Sequence, residues 1–155
     1  MQAGDEGKRI VRHGNIIPGE GVLPAVKMRK VTRVQEEPVI DIAKISGHPK
    51  DSGLVSELIG SYVNGSLDFN VGIHEMEPGQ YHPRHMHPAG AEFYYVMEGS
   101  CLVTVDDEEV QASAGTAIYI PKRTVHSIRT TDSGMKLLWA FDKPDFRDAG
   151  ITWLE

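Results

Sequence analysis

The chain has a single cysteine, Cys101, so it can close no internal disulfide, and a scaffold stapled by such bonds is excluded. No apolar run approaches the ~20 residues that a membrane-crossing helix needs. Positive charge is in deficit. Sixteen Lys and Arg face 22 Asp and Glu, and a net charge of −6 with an isoelectric point near 5.6 disfavours nucleic acid or an anionic membrane as the main partner. No apolar core follows Lys8 and Arg9, so no secretory signal is expected and the cytoplasm is the expected compartment. Also missing are the phosphate loop G-x-x-x-x-G-K-[ST], the G-x-S-x-G elbow, a Cys-x-x-Cys pair and a glycine-rich dinucleotide fingerprint. There is no internal repeat, no low-complexity tract and no βαβ pattern. Any chemistry must come from elsewhere.

What is present suits one antiparallel β domain. The chain has 155 residues, 40% apolar and 25% charged, enough to bury a sizeable core. Sixteen Gly and nine Pro supply the many turns such a domain needs. Residues 1–30, rich in Gly, Pro and charge without sustained periodicity, read as an N-terminal arm, and residues 31–155 as the domain. Val31 to Val34 and Val39 to Ile45 read as edge strands separated by Pro38. Leu54 to Val63 and Leu67 to Met76 flank Asn64-Gly65, a strong hairpin signal. Leu67, Phe69, Val71 and Ile73 alternate with Asp68, Asn70, Gly72 and His74, which places His74 on a polar face, solvated or hydrogen-bonded. Further strands are expected at 93–97, 100–105, 109–112, 116–120, 125–129 and 136–141. Turns are expected at 106–108, at Pro121 and at 132–134, and the tail from Asp142 is irregular or a short helix. About nine or ten strands joined by short turns fit a jelly-roll barrel.

The chemistry concentrates between residues 79 and 126. His85 and His87 are two apart and point to one face of an extended strand. Glu92, Tyr94 and Val96 continue a period of two on the next strand, and a later strand delivers His126. Imidazole nitrogens with one carboxylate suit a divalent transition metal such as Fe, Mn, Ni, Zn, Co or Cu. Two histidines in a Pro-rich loop would by themselves be ordinary surface residues.

The spacing supplies the context. Gly79-x5-His85-x-His87-x4-Glu92-x6-Gly99 and, further on, Gly115-x5-Pro121-x4-His126 resemble the two motifs of the cupin superfamily in order and spacing. Arg123 stands where that family usually has a second Gly, and Thr130 where it usually has Asn, which puts the local turn geometry in question rather than the donors. The resemblance implies an all-β double-stranded β-helix, or jelly-roll cupin barrel, with His85, His87, Glu92 and His126 as ligands of one divalent transition metal. It also implies a homodimer, formed through sheet edges that the N-terminal arm could cover.

Around this set, Tyr94 and Glu92 stand as the candidate catalytic residues. A buried phenol beside a metal can orient an anion or move a proton, although barrel core is the plainer role for Tyr94. His82 is a candidate for substrate contact, and Arg84 either clasps a substrate carboxylate or is a solvated surface residue. Met76, Met86 and Met97 read as packing, Cys101 as a small buried residue, and His13 and His48 as surface residues. The resemblance implies an enzyme acting on a small polar organic molecule, a dioxygenase first by frequency within the family. The alternatives are a lyase or isomerase of a carboxylate or sugar-type substrate, and a non-catalytic small-molecule-binding cupin.

Overall fold

The structure, a computed structural model, describes residues 39–155. The expected arm and the expected strand Val31 to Val34 lie outside the described residues. Nine strands follow in order: β1 His48–Lys50, β2 Gly53–Ile59, β3 Asn70–Met76, β4 Tyr81–Met86, β5 Glu92–Val105, β6 Glu108–Ser113, β7 Ala117–Ile120, β8 His126–Phe141 and β9 Thr152–Trp153. A four-residue helix, α1 Phe146–Ala149, precedes β9. The fold is a jelly-roll β-barrel. No helix among the described residues is long and apolar enough to cross a membrane.

Its spine is the antiparallel ribbon of β5 and β8, registered from Glu92 opposite Phe141 to Val105 opposite His126. Aromatic and β-branched residues fill β5, where they pack well on a pleated surface. Glu92, Tyr94 and Val96 point inward, as do Cys101 and Val103 beyond a break in the alternation. That break is a bend. The register slips between Val96 and Glu98 and again between Gly99 and Cys101. Gly99 and Gly134 take φ of 73° and 61° there, and a Cβ on Gly99 would lie 2.2 Å from the carbonyl oxygen of Gly134. Past the bend, the two halves of β8 serve different neighbours: β3 pairs with Met135 to Phe141, and β4 with His126 to Arg129. Folded in this way, the ribbon brings its own two ends together.

Three expectations need correction. Asp132 to Gly134 is not a turn between strands but lies within the continuous β8, because the bend is absorbed by bulges and left-handed glycines without breaking the ladder. Residues 39–45 form no strand. Asp41 accepts from the Ala43 amide at 3.0 Å and caps a single 3-10 turn, Ile42–Lys44, a local bond that competes with sheet pairing. Asn64-Gly65 does not close a two-residue hairpin either. The amides of Val63 and Asn64 both turn back to the Gly60 carbonyl, which makes a longer loop and leaves Leu67 62% and Phe69 46% exposed.

The consequence is a shorter strand buried on both faces. β3 starts only at Asn70, and Asn70, Gly72, His74 and Met76 are buried on one face while Ile73, 2% exposed, is buried on the other. His74 faces the barrel interior, not solvent, and its Nε2 is 2.8 Å from the Ser52 carbonyl. Side-chain period is two, so the pairing of β3 with β8 fixes which face each side chain takes. Gly72 is placed by the same pairing. It sits opposite Trp139, and a Cβ there would lie 2.2 Å from the indole. The core is one cluster in which Val96, Cys101, Val103, Ala112, Ile128 and Met135 join Leu137, Trp139 and Phe141, so Cys101 is the small buried residue expected of it. Met97, by contrast, is 42% exposed and packs less than expected.

Candidate metal centre

Four expected donors meet. β4 and β8 pair so that His85 stands opposite His126, His87 follows one residue beyond β4, and Glu92 opens β5. The imidazole centroids of His85 and His126 are 4.2 Å apart, and those of His85 and His87 are 5.0 Å apart. Glu92 Oε2 lies 3.3 Å from His87 Nε2 and 3.1 Å from His126 Nε2. One potential ligand atom from each residue lies within 4.8 Å of the others, and all four side chains are buried.

The outer nitrogens explain why this arrangement calls for a cation. His85 Nδ1 is 2.7 Å from the Pro83 carbonyl, His87 Nδ1 is 2.6 Å from that of Gly150, and His126 Nδ1 is 3.0 Å from that of Thr124. A carbonyl only accepts, so each Nδ1 carries the hydrogen and each neutral ring turns its Nε2 lone pair inward. Backbone carbonyls often fix the ligand tautomer in this way. Glu92 adds a carboxylate, which is a further acceptor. His126 Nε2 is fully buried and, although close to Glu92, is aligned for no hydrogen bond. Four inward acceptors cannot satisfy one another, and a shared proton relieves only one contact. Donor chemistry, tautomers and the orphaned nitrogen therefore all fit one divalent metal ion.

Charge follows the same logic. Burial opposes ionisation of Glu92, but His126 and His87, when these rings carry a second proton, outweigh it and hold the carboxyl down at about 2. Burial, then neighbouring His126, pushes His85 down to about 4. For His87, burial works against the charge, yet the Glu92 carboxylate prevails and the net shift is upward. Tyr94 is 3% exposed and its hydroxyl donates to Glu92 Oε2 at 3.0 Å, while burial and then the Glu92 charge lift its pKa well above the usual tyrosine value.

Three of the donors, His85, His87 and Glu92, line a cavity of about 690 Å³, and the fully buried His126 lies behind them. His82 lines it too, with Nδ1 3.1 Å from Ser52 Oγ. Burial, then the charges of His85 and His74, lowers His82 to about 3. Arg84 is not among the lining residues. Its Nη2 donates to the Asp106 carbonyl at 3.2 Å. His48 is exposed, as expected, and His13 lies outside the described residues.

Sequence reasoning missed several contributors. Trp139 and Phe141 line the cavity from β8, and their alternation with Leu138 and Ala140 was the available signal. Trp153, opposite His85 in the β4–β9 pair with ring centroids 5.1 Å apart, and the Gly150 carbonyl come from a tail with no readable period. Arg123 takes φ of 67°, so the turn keeps a glycine-like backbone without glycine, and its amide donates to the His87 carbonyl at 2.9 Å. Thr130 Oγ1 donates to the Glu77 carbonyl at 2.7 Å and ties down the turn before β4.

Comparison with known proteins places these features. Residues 72–141 match the model of the cupin domain. An uncharacterised protein of Methanocaldococcus jannaschii is 30% identical over 79 residues, 51% of this chain and 63% of that protein. The dimethylsulfoniopropionate lyase DddW of Ruegeria pomeroyi is 34% identical over 79 residues, 51% of each chain. These matches thus span half to two thirds of the relatives' own lengths. Among solved structures, oxalate decarboxylase from Bacillus subtilis superposes with a TM-score of 0.65 at 24% identity, over 73% of this chain and 31% of that one. That likeness concerns the fold.

Proposed function

From a cupin domain over residues 72–141 that gathers four donors at the wall of a cavity, we propose that this protein is a metal-dependent enzyme acting on a small organic molecule, in the first instance a dioxygenase. His85, His87, Glu92 and His126 are the ligands of one divalent ion. When bound, such an ion supplies Lewis acidity and, if it is iron, copper or nickel, one-electron chemistry with dioxygen. The observation that carries this reading is the convergence of four buried acceptors, with the His126 Nε2 left unpartnered.

The chain's own residues bind and orient. The carbonyls of Pro83, Gly150 and Thr124 hold the three rings and their protons at Nδ1. Tyr94 keeps its proton and aims the Glu92 carboxylate, so its part is positioning rather than base catalysis. Trp139 and Phe141 exclude water from the substrate side. One observation favours a lyase as the second reading. His82, anchored at Nδ1 by Ser52, offers a cavity-lining ring to a substrate proton, and DddW is a lyase. Homodimerisation through sheet edges belongs to the same proposal. The short outer strand β1, exposed throughout, is one such edge, and a stable monomer at micromolar concentration rejects the dimer.

Metal analysis of protein purified without chelator, followed by oxygen consumption on a panel of enols, catechols and thiols, tests the main reading. Oxygen uptake matched to substrate loss supports the dioxygenase, and equal turnover without oxygen supports the lyase. If metal stays at trace level and His126→Ala leaves ligand binding unchanged, the enzyme reading fails.

A further inference from the structure

The cavity offers more than a metal needs. At about 690 Å³ it falls inside the range of roughly 300–1,000 Å³ typical of pockets that enclose drug-sized ligands. Its apolar lining includes Val55, Leu137, Trp139, Phe141, Phe146 and Trp153. Two aromatic rings reach the donors themselves: Phe141 packs edge-on against His87 at 4.7 Å between centroids, and Trp153 lies 5.1 Å from His85. Both tryptophans of the chain are in this wall. Gly72 extends the pattern, because a Cβ there would lie 2.2 Å from the Trp139 indole. A one- or two-carbon acid at the donors would leave most of this aromatic surface facing water. A planar apolar body would replace that water and meet the rings edge-to-face or offset-stacked.

Polar groups also line the wall, among them Asp51, Tyr81 and Glu155. His74 and His82 are tied together through Ser52, beside the donors. Lys50 is an exposed lining cation with no ionic partner among the described residues, whereas Arg147 is held by Asp145. A ligand that fits carries oxygen donors at one end and an aromatic body beyond them. Resting on the metal-dependent reading above, we propose that the substrate is a bulky aromatic molecule bearing two adjacent oxygens, such as a hydroxy-acid or a diol, and not a small aliphatic acid. Trp153 is then a specificity-determining residue for the aromatic body.

Zinc-loaded protein titrated by calorimetry with 2-naphthylglycolate and with glycolate tests this, since the two present the same α-hydroxy-carboxylate donor pair on different bodies. The expected result is a Kd at least ten-fold lower for the naphthyl compound. Trp153→Ala, in a two-residue strand and half exposed, should remove that preference with zinc uptake unchanged, and Trp153→Phe should restore part of it. Glycolate binding as tightly as 2-naphthylglycolate, or Trp153→Ala weakening both equally, overturns the aromatic substrate while leaving the metal site standing. A chain that takes up no zinc overturns both readings together, and zinc stoichiometry separates the two failures.

Discussion

The two halves of the β5–β8 ribbon share one pairing pattern yet enclose different interiors. In the front half, Glu92, Tyr94 and Val96 stand opposite Phe141, Trp139 and Leu137. In the back half, Cys101 and Val103 stand opposite Thr130 and Ile128. Burial does not tell them apart, since Leu137 and Ile128 are each 1% exposed. The difference lies in what the side chains face. Small aliphatic groups in the back half interlock with Ala112 and close the barrel, whereas large rings in the front half stand around an open space. An inward-facing residue is therefore not the same thing as a packed one.

That contrast can be broken at its most demanding point first. His126→Ala removes the one donor contributed from the back half of the ribbon. Metal content should fall from near one ion per chain to a small fraction, and activity by about 100-fold or more, as read by elemental analysis and turnover. Retained metal would mean that Glu92, His85 and His87 suffice without it. Gly99→Val attacks the bend between the halves. A side chain at φ of 73° with its Cβ 2.2 Å from the Gly134 carbonyl should cost about 3 kcal/mol or more in denaturant unfolding.

Packing itself sharpens the comparison. Ile128→Ala opens a void in the closed half and should cost about 4 kcal/mol, while Leu137→Ala enlarges an existing cavity and should cost about 2 kcal/mol. Equal losses in chemical denaturation would show that the front half is as tightly filled as the back. Arg123→Gly goes the other way. Relief of its left-handed backbone should add about 1 kcal/mol, seen as a raised midpoint with metal content unchanged.

The smallest effect is expected in the tail that walls the front half. Asp145 caps α1 and pairs with Arg147, and hydrogen bonds from that guanidinium hold its carboxyl below the usual aspartate range. Because the folded value is depressed, this stability is present above the unfolded value of about 3.9 and is lost as pH falls through the folded one. Arg147 is 58% exposed, so solvent screening keeps the increment under about 1 kcal/mol. Asp145→Asn should flatten the stability profile in that acidic window and lower stability near neutrality by that small increment. An unaltered profile would show that the pair contributes no stability.

Local patterns made much of this readable. The donors were legible because a two-residue step fixes a shared face for His85 and His87, and because the motif spacing ties them to Glu92 and His126. The β5–β6 hairpin was legible too, since Asp106 and Asp107 favour a turn between two β-rich runs, and Asp106 takes φ of 52°. Errors arose where a local signal met a nonlocal constraint. Asn64-Gly65 is a good hairpin turn, yet hydrogen bonds to Gly60 drew the chain into a wider loop and delayed the start of β3 to Asn70. The turn signal at Asp132 to Gly134 was real as a change of direction, but the ladder ran through it.

By itself the sequence determined which atoms are offered, a set of three imidazoles and a carboxylate, and which neighbours share a side of each strand. Both follow from side-chain chemistry and from the period of an extended backbone, and neither needs the rest of the chain. Only the tertiary structure decided that the donors meet. Glu92 and His126 mark opposite ends of one ribbon, roughly 40 Å apart on a straight ladder at about 3.3 Å per residue, and the bend at Gly99 and Gly134 brings them within 3.1 Å. Tertiary structure also supplied the Gly150 carbonyl and the open space beside the rings. Convergence and unfilled volume depend on how distant strands close around one another, and no local period encodes that.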